Sequence, residues 1–376
     1  IGDPAVKIAY PEFGMKVTTV NGQSVDGNSI SFKALEKITV EGEVLDASGQ
    51  LVTDFTGIVN PTVKDSKVTV TCLKNSNKDD SPAFTFTDYP NTIFIGNDSV
   101  RNGKFSFTFT VPKDISYSNL QGKMNLYAVD TESGNEAQGN FDNFIVGGTS
   151  DTAETDTIGP EIRALYLNDT TFVDGGQVNT TPYFVAELWD KSGVNITGSS
   201  VGHDMMLVID ESTVLSYNLN SYYELLLGED GTGIVKFPIP ALEPGKHTAE
   251  FWVWDILNNS TVRTFTFEVV EGLKPFLFDV IATPGIAREQ VTFHLMHNRP
   301  ESRMRVGIMV YDLAGRQLWK HEESGTSGLF ENYTVSWDLT SGGARMRPGV
   351  YIYRAAISTD NSKDATKARK FIILGE

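Results

Sequence analysis

Alternation dominates this chain. In KFSFTFTVP (104–112), Phe105, Phe107, Phe109 and Val111 share one parity, while Ser106, Thr108 and Thr110 take the other. Successive strand side chains point to opposite faces, so this period-2 pattern predicts a strand with one buried and one wet face. The signature recurs in KITVEGEVLD, KVTVTCLK and KMNLYAVD, with the turn signals DASGQ, VRNGK and TESGN between the runs. A second series follows in PEIRALYLND, TPYFVAELWD, HDMMLVID, GIVKFPIP, KHTAEFWVWD and VRTFTFEVVE. A third comprises QVTFHLMH, RVGIMVYDLAGRQLW, NYTVSWDLT, GVYIYRAAIS and ARKFIILGE. No segment has the 3.6-residue period of a long helix.

Short strands at this spacing predict an all-β protein of three consecutive immunoglobulin-like β-sandwich domains. Residues 147–160, GGTSDTAETDTIGP, contain no aromatic residue and too little apolar surface to order themselves, which marks a boundary. The expected division is therefore a sandwich at 1–148, a linker at 149–160, a sandwich at 161–272 and a last sandwich at 273–376. In the second domain, ALEPGKHTAEFWVWDILNNS has the cadence of an immunoglobulin-like penultimate hairpin. Pro244–Gly245 makes a turn, Asp255 and Asn258–Asn259 make the next, and Trp252 and Trp254 share a face expected to be core. In the third, YDLAGRQLW reads as a hairpin with Asp312 and Gly315 in its turn.

Composition agrees and adds exclusions. The chain has 376 residues, 40% hydrophobic and 11% aromatic, enough for more than one core. Its net charge of −17 is uneven. Residues 149–272 carry 5 Lys/Arg against 19 Asp/Glu, whereas 273–376 carry 14 against 11. Such acidity repels phosphate backbones, which argues against nucleic acid as a partner. The basic run KDATKARK (363–370) reads as a solvated edge strand. No stretch approaches the roughly 18–20 apolar residues of a membrane-spanning helix. The opening IGDPAVKIAYP, without an initiator Met or a signal peptide, reads like the middle of a longer protein.

Candidate chemistry is sparse. In VGHDMMLVID, His203 precedes Asp204, but adjacent strand residues point to opposite faces and no G-x-S-x-G elbow frames the nearby Ser199 or Ser200. A turn cap holding a hairpin in register is the expected role. Cys72, the single cysteine, cannot form an intrachain disulfide. It shares a parity with Val68 and Val70, so a small buried hydrophobe is expected rather than a thiolate nucleophile. His247, His294, His297 and His321 lack zinc-site spacing. The loops WDKSGVN (189–195) and NDTTFVDGG (168–176) are oxygen-rich but lack EF-hand order, and solvated turns are expected. Sequons at Asn97, Asn195 and Asn332 are those an Asn/Thr-rich chain produces by chance. No catalytic, cofactor-binding or metal-binding residue is assigned.

The stretches GDPAVKIAYP, FTFTVPKDISY, GPEIRALYLND, VGHDMMLVID, LNSYYE and LEPGKHTAEFWVWDILNNS run through the first two domains. Through them the chain resembles the region that follows the catalytic domain in the gingipain-like cysteine peptidases of type IX secretion. The last domain separately resembles type IX C-terminal sorting domains, through VYDLAGRQLW, VSWDLT and RPGVYIYRA, although it reads ATPGIAREQ where such domains open with Asn-Pro. The resemblance implies a sortase at the surface of Gram-negative cells that removes sorting domains from secreted cargo and helps join the cargo to lipopolysaccharide. It implies a His–Cys dyad upstream of Ile1, an outer-membrane β-barrel partner and a non-catalytic role for these 376 residues. A different reading is a free-standing adhesin or carbohydrate-binding array, with Trp319 or Tyr351 stacking on sugars.

Overall fold

A computed structural model describes residues 10–74, 82–151, 156–198, 202–226, 231–359 and 362–375. Among these residues the secondary structure is β throughout, apart from one 3-10 turn at Asn220–Tyr222. The protein is all-β, built of immunoglobulin-like sandwiches. Ser199, Ser200 and residues 152–155 of the expected linker lie outside the described residues.

The first sandwich follows directly from the alternation. Phe105, Phe107 and Phe109 of the Lys104–Thr110 strand are buried at 3–5% exposure, with Ser106 and Thr108 exposed between them. Phe107 lies opposite Val40 of the neighbouring Lys37–Leu45 strand. A Cβ on Gly42 would meet the Phe105 ring at 2.2 Å, so glycine there lets the ring lie across the partner strand. The sheet carrying these strands packs on a smaller one of Leu120–Gln121, Phe144–Thr149 and Ile30–Ala34. There Phe32 stacks on Phe144 at 4.2 Å and meets Phe109 edge-on at 5.8 Å. Each fully buried Phe contributes roughly 1.5–3 kcal/mol relative to exposure. The Asn102–Gly103 turn into the Phe-rich strand has φ values of 51° and 72°, the left-handed pair that a tight hairpin requires.

The chain packs as two units. One contains Ile1–Ala164, Ala186–Val235 and Glu250–Thr264; the other contains Leu165–Val185, Lys236–Ala249 and Phe265–Glu376. The middle sandwich has a sheet of Glu161–Leu167, Tyr183–Trp189, Thr232–Pro238 and Tyr223–Leu225, in that order. Its second sheet runs Gln177–Val178, Ser260–Val269, Gly245–Trp254, Met206–Ile209 and Ser216–Asn218. Along Gly245–Trp254 the core parity is Ala249, Phe251 and Val253, all at 0% exposure. Trp252 and Trp254 are therefore not core as expected. They stand on the opposite face, half-buried.

The last sandwich pairs a three-stranded sheet (Leu277–Thr283, Val291–His297, Tyr333–Trp337) with a five-stranded one. The latter runs Ile286–Ala287, Ala365–Ile373, Gly349–Ser358, Met304–Tyr311 and Gln317–Gly325. Phe293, Tyr353 and Phe371 fill the space between them. Asp312 Oδ1 accepts from the N–H groups of Ala314 and Arg316, and Gly315 sits at φ 82°, closing the hairpin expected at YDLAGRQLW. Tyr351 is 8% exposed, and Trp319 stacks on Trp337 at 4.4 Å. Both rings are thus engaged in this domain's packing.

Cys72 corrects its expectation. It follows the Val68–Thr71 strand, which pairs only with Thr85–Asp88 in a separate two-stranded sheet. Among the described residues no second sheet pairs with this hairpin, Val68 and Val70 are only half-buried, and the thiol is exposed.

Candidate functional site

Two clusters of polar side chains form inside the first unit, both from residues far apart in sequence. The first gathers on Asp114, just beyond the end of the Lys104–Thr110 strand. His203 Nδ1 lies 2.6 Å from Asp114 Oδ2. Asn258 Nδ2 donates to Asp114 Oδ1 at 2.9 Å. The His203 ring is 4.5 Å from the Trp254 ring, tilted by 48°. Beside them, the Lys113 N–H donates to the Ile256 carbonyl at 2.8 Å. Asp114 belongs to FTFTVPKDISY, His203 to VGHDMMLVID, and Trp254 and Asn258 to LEPGKHTAEFWVWDILNNS. Three of the stretches that carry the family resemblance therefore meet at one point.

Asp204 turns away from His203. Its Oδ1 accepts from Asn220 Nδ2 at 2.7 Å, while Asn220 Oδ1 accepts from the Met205 N–H. The Asp204–Asn220 pair secures the hairpin locally, which is the role expected of His203. His203 instead ties the second sandwich to the first. Among the described residues no hydroxyl or thiol hydrogen-bonds the His203 ring.

The second cluster brings together Asp156, Asp190 and Asp255, one carboxylate oxygen of each lying within 4.8 Å of the others. Asp190 and Asp255 are 5% and 0% exposed. Each is an Asx-type turn: Asp190 Oδ1 accepts from the N–H groups of Ser192 and Gly193, and Asp255 Oδ1 from those of Leu257 and Asn259. Asp156 Oδ2 accepts from Ser192 Oγ at 2.8 Å, and the Asp156 carbonyl accepts from Asn259 Nδ2. Burial raises the Asp190 carboxyl to about 6, against its turn hydrogen bonds and with help from the charges of Asp255 and Asp156. Burial also raises Asp255. Asp156 moves the other way, held down first by the Ile158 N–H and then by the Ser192 hydroxyl. Three such oxygens are a donor set that could hold a hard divalent cation. WDKSGVN signalled Asp190 as an oxygen-rich loop, but nothing in the sequence linked it to Asp156 or Asp255. Asp190 also lines a cleft of about 560 Å³, with Phe94 and Tyr223 in its walls.

The other candidates are dispersed. Burial drives the His297 imidazole down to about 4, and the Arg299 charge adds to this. The neutral ring bonds Ser327 Oγ through Nε2 and accepts the Arg299 N–H at Nδ1. His321 pairs with Glu323, and His247 Nε2 lies 2.8 Å from the Glu243 carbonyl. Asn195 is 1% exposed, which closes that sequon in the folded protein.

No family model matches the chain, and no curated protein matches it. Among solved structures it is similar to dimeric latent PorU from Porphyromonas gingivalis, with 37% identity over 100% of this chain and 35% of that one, at a TM-score of 0.44. It thus spans about a third of that protein's length. The chicken CNTN1 FN1–FN3 domains match 96% of this chain and 98% of theirs at 7% identity and a TM-score of 0.20. The Drosophila DLAR Ig1-2 module matches 58% of this chain and 98% of its own at 10% identity and 0.23. Neither of these two bears on function.

Proposed function

We propose that these sandwiches are the non-catalytic scaffold and docking module of a type IX secretion sortase. In this reading a gingipain-like cysteine peptidase elsewhere in the parent protein cleaves the sorting domains of secreted cargo and helps anchor the cargo to lipopolysaccharide. The region described here holds that peptidase at the surface of a Gram-negative cell and docks it on an outer-membrane β-barrel component. The observation that carries the reading is the convergence of three resemblance-bearing stretches on Asp114, within a chain 37% identical throughout to PorU. Those stretches build an inter-sandwich clamp, as a scaffold requires. The test is a pull-down of this chain against solubilised outer membrane, with retained proteins identified by mass spectrometry. Specific retention of a β-barrel secretion component is expected. Failure to retain any secretion component counts against docking.

A further inference from the structure

We propose that the outer face of the five-stranded sheet in the last sandwich docks an acidic protein partner. This rests on the docking reading above and adds the surface and its chemistry. Register aligns the outward side chains in three ranks. Ile286, Ile372 and Val350 form the first, and Lys370, Ile352 and Tyr311 the second. In the third, Arg354 stands between Ala368 and Met309. The alternate residues Tyr351, Tyr353 and Phe371 enter the core, so these ranks face outward. Ile286 is 55% exposed and Val350 40%, and Arg354 and Lys370 are exposed. Single exposed aliphatics are ordinary, but a contiguous apolar rank bordered by charge marks an interaction surface.

Charge selects the partner. Neighbouring cations are neutralised within the chain: Arg369 by Asp279, Arg316 by Asp312, Arg305 by Asp364 and Lys320 by Glu322. Arg354 and Lys370 have no ion pair or side-chain hydrogen bond among the described residues. They are diagonal neighbours on adjacent strands, a spacing of about 7–8 Å. Two like charges within a Debye length of about 8 Å repel, and carboxylates supplied from outside relieve them. The Arg354 guanidinium donates to such a carboxylate through a bidentate fork. An anionic bilayer fits less well. The half-buried Ile352, Tyr311 and Ile372 lie in the pleat and do not reach the roughly 5–10 Å into the acyl boundary that interfacial binding uses. A flat protein face with an aliphatic centre and Asp/Glu at its rim suits sheet-face packing.

The test places a photo-reactive amino acid at position 352 of the full parent protein, in the cells that produce it. One discrete protein adduct is expected. It should fall at least tenfold in Arg354→Glu/Lys370→Glu and in the milder Arg354→Gln/Lys370→Gln, each with an unchanged Tm. It should return when the partner's mapped carboxylates are replaced by lysine. An adduct to lipid or to a second copy of this chain overturns the proposal, as does a protein adduct indifferent to the charge changes. If the pull-down retains a β-barrel component while position 352 yields no adduct, the face is wrong and docking stands. If neither occurs, docking and the face fall together.

Discussion

His203 Nδ1 lies 2.6 Å from Asp114 Oδ2 across 89 residues of chain, and the same carboxylate takes the Asn258 amide on its other oxygen. The contact is partly buried, with side-chain exposures of 29% for His203 and 11% for Asp114. Asp114→Ala is expected to destabilise the first unit by about 2 kcal/mol, because a hydrogen bond to a charged group contributes roughly 1.5–3 kcal/mol and this one has two donors. His203→Ala should cost about 1 kcal/mol, given its exposure. Denaturant unfolding of both single variants and the double variant gives the coupling, expected near 1 kcal/mol. Strictly additive losses would show that the pair does not clamp the sandwiches.

The first sandwich was legible because its information is local. The parity of Phe105, Phe107 and Phe109 specifies a face, and Asn102–Gly103 specifies the turn into it. Parity alone does not say which face meets a second sheet. That is why the pattern fits Trp252 and Trp254 as core equally well, although Phe251 and Val253 occupy it. Cys72 fails for the same reason, since among the described residues its hairpin has no sheet opposite. The two clusters were illegible as clusters. Asp114 and His203 lie on different sandwiches, and Asp156 reaches Asp190 and Asp255 from within a stretch that reads as linker. Their residues were visible one at a time, but their proximity is a product of tertiary packing.

Asp190 should make stability fall as pH rises. Its folded carboxyl holds a proton up to about 6, whereas the ordinary value is 3.8. Between those values the folded state binds more proton than the unfolded chain, so stability declines from about pH 4 to about pH 6 and stays lower above. Asp190→Asn keeps an acceptor for the Ser192 and Gly193 N–H groups and removes the charge. It should raise stability at pH 7 by on the order of 1 kcal/mol and flatten this slope. A variant less stable than the wild type at pH 7 would show that the charge is compensated.

His297 has the opposite sign. Its folded imidazole titrates near 4, against an ordinary 6.5. Between those values the unfolded chain binds the extra proton, so stability is lost as pH falls from about 6.5 towards 4. The loss at pH 5 should be on the order of 1 kcal/mol. His297→Gln retains a donor for Ser327 Oγ and cannot ionise, so the difference between variant and wild type should shrink on acidification. Thermal unfolding from pH 7.5 to 4.5 reads it. A difference constant over that range would mean that the ring is not held neutral.

Cys72 should behave as a surface thiol. It is exposed on a two-stranded hairpin, where its N–H donates to the Phe84 carbonyl at 2.9 Å. Isolated two-stranded sheets are marginal in water, so local opening adds to an access that is already present. A chromogenic disulfide reagent should therefore titrate about one thiol per chain in native buffer, at a rate that denaturant raises only modestly. Cys72→Ser should change global stability by less than about 0.5 kcal/mol, because surface substitutions away from packed features stay within that range. A thiol that reacts only after unfolding would mean that another surface of the protein covers the hairpin.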